Sequence, residues 1–167
     1  MPVAGEIASA AAGFAQNAGM LDKSFADLTA EDWTARPSDQ CNSVLWLAGH
    51  VVWARAMTLG FLGVPWSRPW LGQFARGKFA EAGEPPSADE MLSAWADVKQ
   101  ALSAALEEAS AEKLAGASPD KAPSFDGTIA GTVGFMAFHE TYHVGQAAYL
   151  RKWLGYGKKP NRQDSAA

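Results

Sequence analysis

The stretch FHETYHVGQ, residues 138–146, decides how the rest of the chain is organised. It carries His139 and His143, two of the three histidines in the chain, and residues four apart share one face of an α-helix. Two imidazoles placed in this way can bind one metal ion if a third ligand comes from another element. The remaining histidine, His50, lies in a distant apolar segment. We therefore expect a helix packing that brings His50 to the pair.

The composition indicates one globular domain over residues 1–167. Apolar residues make up 48% of the chain and charged residues 19%, and the length is sufficient for a full hydrophobic core. A net charge of −4 and a pI near 5.3 argue against nucleic acid and leave a small molecule as the expected partner. Cys41 is the single cysteine, so no intramolecular disulfide can form. We expect a cytoplasmic protein in which Cys41 is buried as a small hydrophobic residue.

One segment, residues 43–63, is long and apolar enough to be compared with a membrane span. It carries His50 and Arg55 near its middle, and both side chains are costly in hydrocarbon. The N-terminus shows no basic segment followed by an apolar one, as a signal peptide would. We interpret residues 43–63 as a buried helix and expect no membrane partner.

The hydrophobic spacing predicts four long helices, over about 4–27, 43–62, 87–109 and 128–154. Their expected N-caps are Asn42 or Ser43 for the second helix, Ser87 for the third and Thr128 for the fourth, and a short turn capped by Thr29 leads to Trp33. Two long connections, 64–86 and 116–127, join the helices, and no segment shows the alternation of a strand. The fold class predicted from these patterns is an all-α four-helix bundle.

On a helical wheel, the last helix places His139, His143 and Gln146 on its predicted inner face, together with Tyr142 and Trp153. A buried amide such as Gln146 needs a partner, which could be a ligand histidine, a substrate or the backbone. Glu140 is about 100° from His139, so it either faces solvent or supports a ligand. The aromatic residues Trp46, Trp53 and Tyr142 are candidates for a substrate pocket, and the alternative is ordinary core packing.

The letters HETYH also match the H-E-x-x-H pattern of zinc peptidases, in which the glutamate is the general base. That chemistry needs a third ligand downstream. The extended pattern would place a histidine at position 149, where this chain has Tyr149, and no glutamate follows Glu140. The sequence therefore argues against a peptidase.

The segments NSVLWLAGH (42–50) and HETYHVGQ (139–146), with LTAEDW (28–33), resemble the DinB-like family over nearly the whole chain. The resemblance implies an up-down-down-up four-helix bundle, often a homodimer. It also implies one divalent metal ion bound by His50, His139 and His143. Relatives of this kind include thiol-dependent transferases and isomerases.

Three neutral ligands leave a tetrahedral ion one open position, where a thiol can be held as the nucleophilic thiolate. Zinc and nickel are the first candidates for the ion, and iron also suits imidazole. The predicted function is a metal-dependent S-transferase for a low-molecular-weight thiol, with Gln146 and Glu140 as candidate catalytic residues. A hydrolase or an isomerase is an alternative within the enzymes, and a non-catalytic dimeric bundle that binds metal or a small ligand is the alternative outside them. Three cations of the first connection, Arg68, Arg76 and Lys78, either bind an anionic co-substrate or lie on the surface.

Overall fold

The computed structural model describes residues 3–75 and 84–157, and the regular secondary structure of this part of the chain is helical. The helices are α1 (Ala8–Phe25), α2 (Ala30–Thr34), α3 (Val44–Leu62), α4 (Ala88–Glu108), α5 (Ala111–Ala115) and α6 (Ile129–Trp153). Two 3-10 turns lie at Gly5–Ile7 and Leu71–Phe74. The described residues form no strand, and a single isolated bridge joins Ala117 to Thr128. The all-α prediction is confirmed.

Side-chain caps determine where most of these helices begin. Ser43 accepts a hydrogen bond from the Trp46 amide at the start of α3, and Thr128 accepts one from Gly131 at the start of α6. Capping boxes open α2 at Thr29 and α4 at Ser87. These starts agree with the sequence prediction because a hydroxyl before an apolar periodic segment has a strictly local effect.

The helix α3 lies at the centre of the fold. It packs against α4, α6 and the 3-10 turn Leu71–Phe74, while α6 also packs against α1. By length and composition α3 could cross a membrane, but 72% of its apolar window is buried inside the fold. Such burial is typical of the core helix of a soluble protein. The interpretation of residues 43–63 as a buried helix agrees with this packing.

The inner face of α6 is rotated from the predicted one by about a quarter of a turn. Its buried side chains centre on Glu140, which is 1% exposed. Tyr142 and Trp153, which the wheel placed inside, are 63% and 44% exposed. The prediction for these two residues is wrong because α6 carries aromatic residues on its outer face as well, so hydrophobicity alone does not reveal its orientation.

Glu140 is buried in an ion pair with Arg55 of α3, so its predicted alternative of facing solvent is wrong. The Arg55 Nε donates to Glu140 Oε2 at 2.6 Å, and its Nη2 donates to Oε1 at 2.8 Å and to the Phe14 carbonyl at 3.0 Å. The guanidinium also lies 4.6 Å from the centre of the Trp95 ring. Burial raises the pKa of Glu140 above its ordinary value, and the bonds from Arg55 oppose that rise. The Arg55 side chain of α3 thus binds both α6, through Glu140, and α1, through the carbonyl of Phe14.

We expect Glu140→Gln to lower the free energy of unfolding by about 3–5 kcal/mol, because it leaves the Arg55 charge buried without a counter-charge. The double variant Arg55→Met with Glu140→Leu should recover most of this loss, since it removes both charges and keeps similar volume. Urea unfolding of the three proteins measures the difference. A loss below about 1 kcal/mol in Glu140→Gln would contradict the importance given to this pair.

Candidate metal centre

Three histidine rings from two helices meet between α3 and α6. His139 Nε2 lies 3.4 Å from His50 Nε2 and 3.1 Å from His143 Nε2. One ligand nitrogen of each ring lies within 4.8 Å of the other two. His50 and His143 are buried, and His139 is half-buried. The structure brings together the three residues that the sequence selected.

The spacing of these nitrogens fits a single ion. Zinc binds imidazole nitrogen at about 2.0–2.1 Å, so two such ligands at a tetrahedral angle lie about 3.4 Å apart. The observed separations of 3.1 and 3.4 Å are close to that value. Imidazole suits zinc, nickel and iron alike, so the cluster could hold a divalent ion without distinguishing among the three metals.

A backbone carbonyl fixes the orientation of His50. The Nδ1 atom of His50 lies 2.7 Å from the Phe74 carbonyl oxygen, which can only accept, so Nδ1 carries the proton and donates it. The Nε2 lone pair therefore faces His139. The rings of Trp46 and Trp53 stack against His50 at centroid distances of 4.9 and 5.4 Å. Burial lowers the pKa of His50, which keeps the ring neutral and able to bind a metal.

A side-chain amide fixes the orientation of His143. Gln146 Oε1 lies 2.7 Å from His143 Nδ1, and Gln146 Nε2 donates to the Tyr142 hydroxyl at 3.2 Å. Burial is the largest cause that lowers the pKa of His143 to about 4, and the nearby His139 and His50 rings lower it further. The ring is neutral near pH 7. Of the partners considered for Gln146, the structure shows the histidine.

The hydrogen bonds on the two Nδ1 atoms have a joint consequence at His139. Both His50 and His143 present Nε2 lone pairs to His139 Nε2, and one proton on His139 Nε2 could satisfy only one of them. Lone pairs that converge in this way suit a cation better than a hydrogen-bonded network. The donor set therefore fits a divalent metal.

A cavity of about 680 Å³ opens from His50 and His139. This volume lies within the range of roughly 300–1,000 Å³ that is usual for small-molecule sites. Its apolar walls are Trp53, Met57, Phe61, Phe135 and Met136. The segment 119–123 also lines it, and we place the mouth there because every residue of this segment except Ala122 is exposed. An apolar molecule in this cavity would lie directly against two of the three imidazoles.

The other predicted site residues have different positions. Trp53 lines the cavity, Trp46 stacks on His50 without lining it, and Tyr142 lies outside the cavity with its hydroxyl on Gln146. Their roles in substrate binding stay predictions. Glu140 does not line the cavity either, because its carboxylate is bound to Arg55.

Two expectations about surface and buried residues can also be compared with the structure. Arg68 is half-buried, forms an ion pair with Asp97 and stacks over Trp66, so its charge is already paired. Its two companions in the prediction, Arg76 and Lys78, lie outside the described residues. Cys41 is exposed, and the prediction of a buried thiol is wrong.

Sequence reasoning missed how the chain positions His50. An added Cβ at Gly49 would lie 2.3 Å from Cδ1 of the Phe74 ring, so only glycine allows this ring to pack on α3. Phe74 is fully buried there, and its carbonyl oxygen reaches His50. A glycine beside a candidate ligand was the available signal, but the contact across 24 residues has no periodic pattern in the sequence.

We expect Gly49→Ala to displace Phe74 and to lower the affinity for a divalent metal by about 10- to 100-fold, the usual cost of losing a hydrogen bond behind a ligand histidine. Gly60→Ala on the same helix is the matched control, since no atom lies within 4 Å of its added Cβ. Metal titration of both variants and circular dichroism of their folds provide the measurement. Equal affinity in Gly49→Ala and Gly60→Ala would show that the Phe74 carbonyl is dispensable.

Comparison with known proteins gives one assignment. A sequence model of the DinB superfamily matches residues 14–147, which include all three histidines and all but the ends of the described fold. No curated protein matches the chain significantly. The match covers well over half of the sequence, and the chain belongs to the DinB superfamily.

Proposed function

We propose that this protein is a divalent-metal-dependent enzyme that transfers a low-molecular-weight thiol to an electrophilic small molecule. The observation that carries the proposal is the convergence of three Nε2 atoms beside an apolar cavity of about 680 Å³. DinB-like proteins often bind metal, which supports a metal role for His50, His139 and His143. We propose zinc or nickel as the ion, with iron as a further candidate, because imidazole suits all three metals.

His50, His139 and His143 would hold a divalent ion, which would supply an open coordination position able to keep a thiol as thiolate. The protein's own residues perform the other tasks. The carbonyl of Phe74 and the amide of Gln146 hold two rings with Nε2 directed at the same point. The apolar walls, among them Trp53 and Phe135, exclude water and bind the electrophile close to His50 and His139.

The proposed reaction is a substitution without a change of oxidation state. The thiol sulfur forms a bond to the electrophilic carbon, and the bond from that carbon to its leaving group breaks. The leaving group departs with the bonding electron pair, and the thiol proton goes to solvent. An epoxide would react in the same way, with its ring oxygen as the group that takes the electron pair.

A second candidate is a non-catalytic bundle that binds a metal or a small ligand. The lining of the cavity favours this candidate over a hydrolase or an isomerase. Among the residues that line the cavity, Asp120 at the mouth is the single carboxylate, and the nearby Glu140 is committed to Arg55. The described cavity walls therefore place no carboxylate beside His50 and His139, and this argues against a hydrolase or an isomerase that relies on a carboxylate as general base.

We expect protein purified without an affinity tag to contain about one divalent ion per chain, and His50→Ala, His139→Ala and His143→Ala to lose it. A thiol such as 2-mercaptoethanol should shift the absorption spectrum of the cobalt-substituted protein, and ethylene glycol, its oxygen analogue, should not. Elemental analysis and visible spectroscopy make these measurements. A metal content as high as that of wild type in the three variants would reject the metal site, whereas an unchanged spectrum with thiol would favour the non-catalytic candidate.

We also propose the up-down-down-up order for the four long helices. Contacts between α1 and α6 run in the same direction, since Asn17 bonds to Thr141 and the later Ser24 to Arg151. Contacts between α1 and α4 run in opposite directions, since Asp22, near the end of α1, bonds to Trp95, near the start of α4. Leu47 shares a groove with Leu150, and Phe61 shares the cavity with Phe135, which supports antiparallel α3 and α6.

A homodimer in the cytoplasm is the proposed state of the protein, and the outer face of α6 supports the dimer. Phe138, Tyr142, Tyr149 and Trp153 form an exposed stripe along it, which Phe125 extends. These rings expose roughly 600 Å² in all, against about 800 Å² per partner in a standard interface. Lys152 is the single charged residue among the exposed residues of α6. An apolar face of this size is at the upper end of what monomers expose, and patches of that size often mark interaction sites.

We expect the wild-type protein to sediment at twice its chain mass of 17.7 kDa at micromolar concentration. Tyr149→Glu should shift it to the monomer, because the new charge would be buried against the same face of the second copy. Gln100→Glu, which adds the same charge to the exposed side of α4, is the control and should remain dimeric. A monomeric wild type would contradict the proposal.

A further inference from the structure

The cavity beside the histidines has two chemically different ends. At its inner end lie His50 and Met136, which are buried, and His139, which is half-buried. At its mouth lies a turn closed by a 3.0 Å hydrogen bond from the Ala122 amide to the Pro119 carbonyl. The walls between them are apolar. A ligand that fills the cavity therefore meets imidazole at one end and this turn at the other.

The turn holds a lysine in a backbone conformation that favours glycine. Lys121 has a φ of 65°, in the left-handed region where the Cβ of an L-residue is strained. Glycine would adopt this conformation without strain, so the turn alone does not explain a lysine at this position. Strained residues of this kind cluster at active sites and ligand clamps, where the surrounding structure holds them in place.

The charged side chains of the turn are both available for a ligand. Lys121 and Asp120 are exposed and line the cavity, and within the described residues neither makes an ion pair or a side-chain hydrogen bond. The two differ in reach. The four-carbon stem of lysine can follow an apolar wall and keep its ammonium at the rim, whereas the Asp120 carboxylate stays near the backbone. The group able to meet the outer end of a ligand is thus the ammonium.

We propose that the cavity takes an apolar, ring-sized molecule that carries an anionic group at the end remote from the histidines, and that Lys121 selects for this anion. The inference rests on the proposed function in that such a molecule would be the electrophile. Its body would lie between Trp53 and Phe135, with the reacting carbon toward His50 and His139. The anionic end would pair with the exposed ammonium of Lys121.

Binding of two unreactive probes tests this proposal without any turnover. The probes are 2-naphthoate and 2-naphthamide, which share the ring system and differ in charge. Calorimetric titration at low salt uses the full chain, once as purified and once after chelation of metal, because a metal ion could itself attract the carboxylate. We expect wild-type protein to bind the naphthoate about three- to fivefold more tightly than the amide in both states, a ratio typical of an exposed ion pair.

Variants of the turn assign the preference to one side chain. Lys121→Gln should bring the ratio of naphthoate to naphthamide affinity close to one, and Lys121→Arg should keep it at the wild-type value. Asp120→Asn should increase this ratio, because the competing carboxylate is removed. Lys121→Gly should lose the preference and raise the melting temperature, since it relieves the strained backbone. A ratio that stays above three in Lys121→Gln, or the absence of binding by both probes, would overturn the proposal. Because no thiol or reaction is involved, a failed S-transferase assay would leave this result unaffected.

Discussion

The ion pair between Arg55 and Glu140 is the interaction on which the site depends. It joins α3 to α6, the same two helices that carry the three histidines. Arg55 follows His50 by five residues, and Glu140 is the neighbour of His139 in the sequence. A charge that is 3% exposed tolerates no displacement from its counter-charge, so the pair fixes the register of one helix against the other. That register is what brings His50 within reach of His139.

The histidines occupy the border between the core and the cavity, and this position explains their state. On one side, apolar neighbours disfavour the charged ring, as the lowered pKa values of His50 and His143 show. On the other side, the cavity gives His50 and His139 access to a small molecule. Carbonyl oxygens of Phe74 and Gln146 then fix which nitrogen is available. Burial keeps the rings neutral, and hydrogen bonds direct their lone pairs.

Local signals in the sequence were enough for the helices and for the pair of histidines on α6. The hydroxyl caps at Ser43, Ser87 and Thr128 act within one turn of their own helix, so the chain around them reveals each start. The spacing of His139 and His143 is equally local. The partner of Glu140 and the acceptor for His50 were not predictable in this way, because Arg55 and Phe74 reach them across 85 and 24 residues. No periodicity connects such positions.

The orientation of α6 shows why a short motif does not determine a role. In HETYH the glutamate follows its histidine by one residue, which places it about 100° further round the helix. Whether it can act on a substrate then depends on which side of the helix the cavity occupies. Here the cavity lies beside His139 and Phe135, while Glu140 faces Arg55 in the core. The glutamate that a peptidase would use as its general base thus joins α6 to α3 in this chain, next to the three imidazoles.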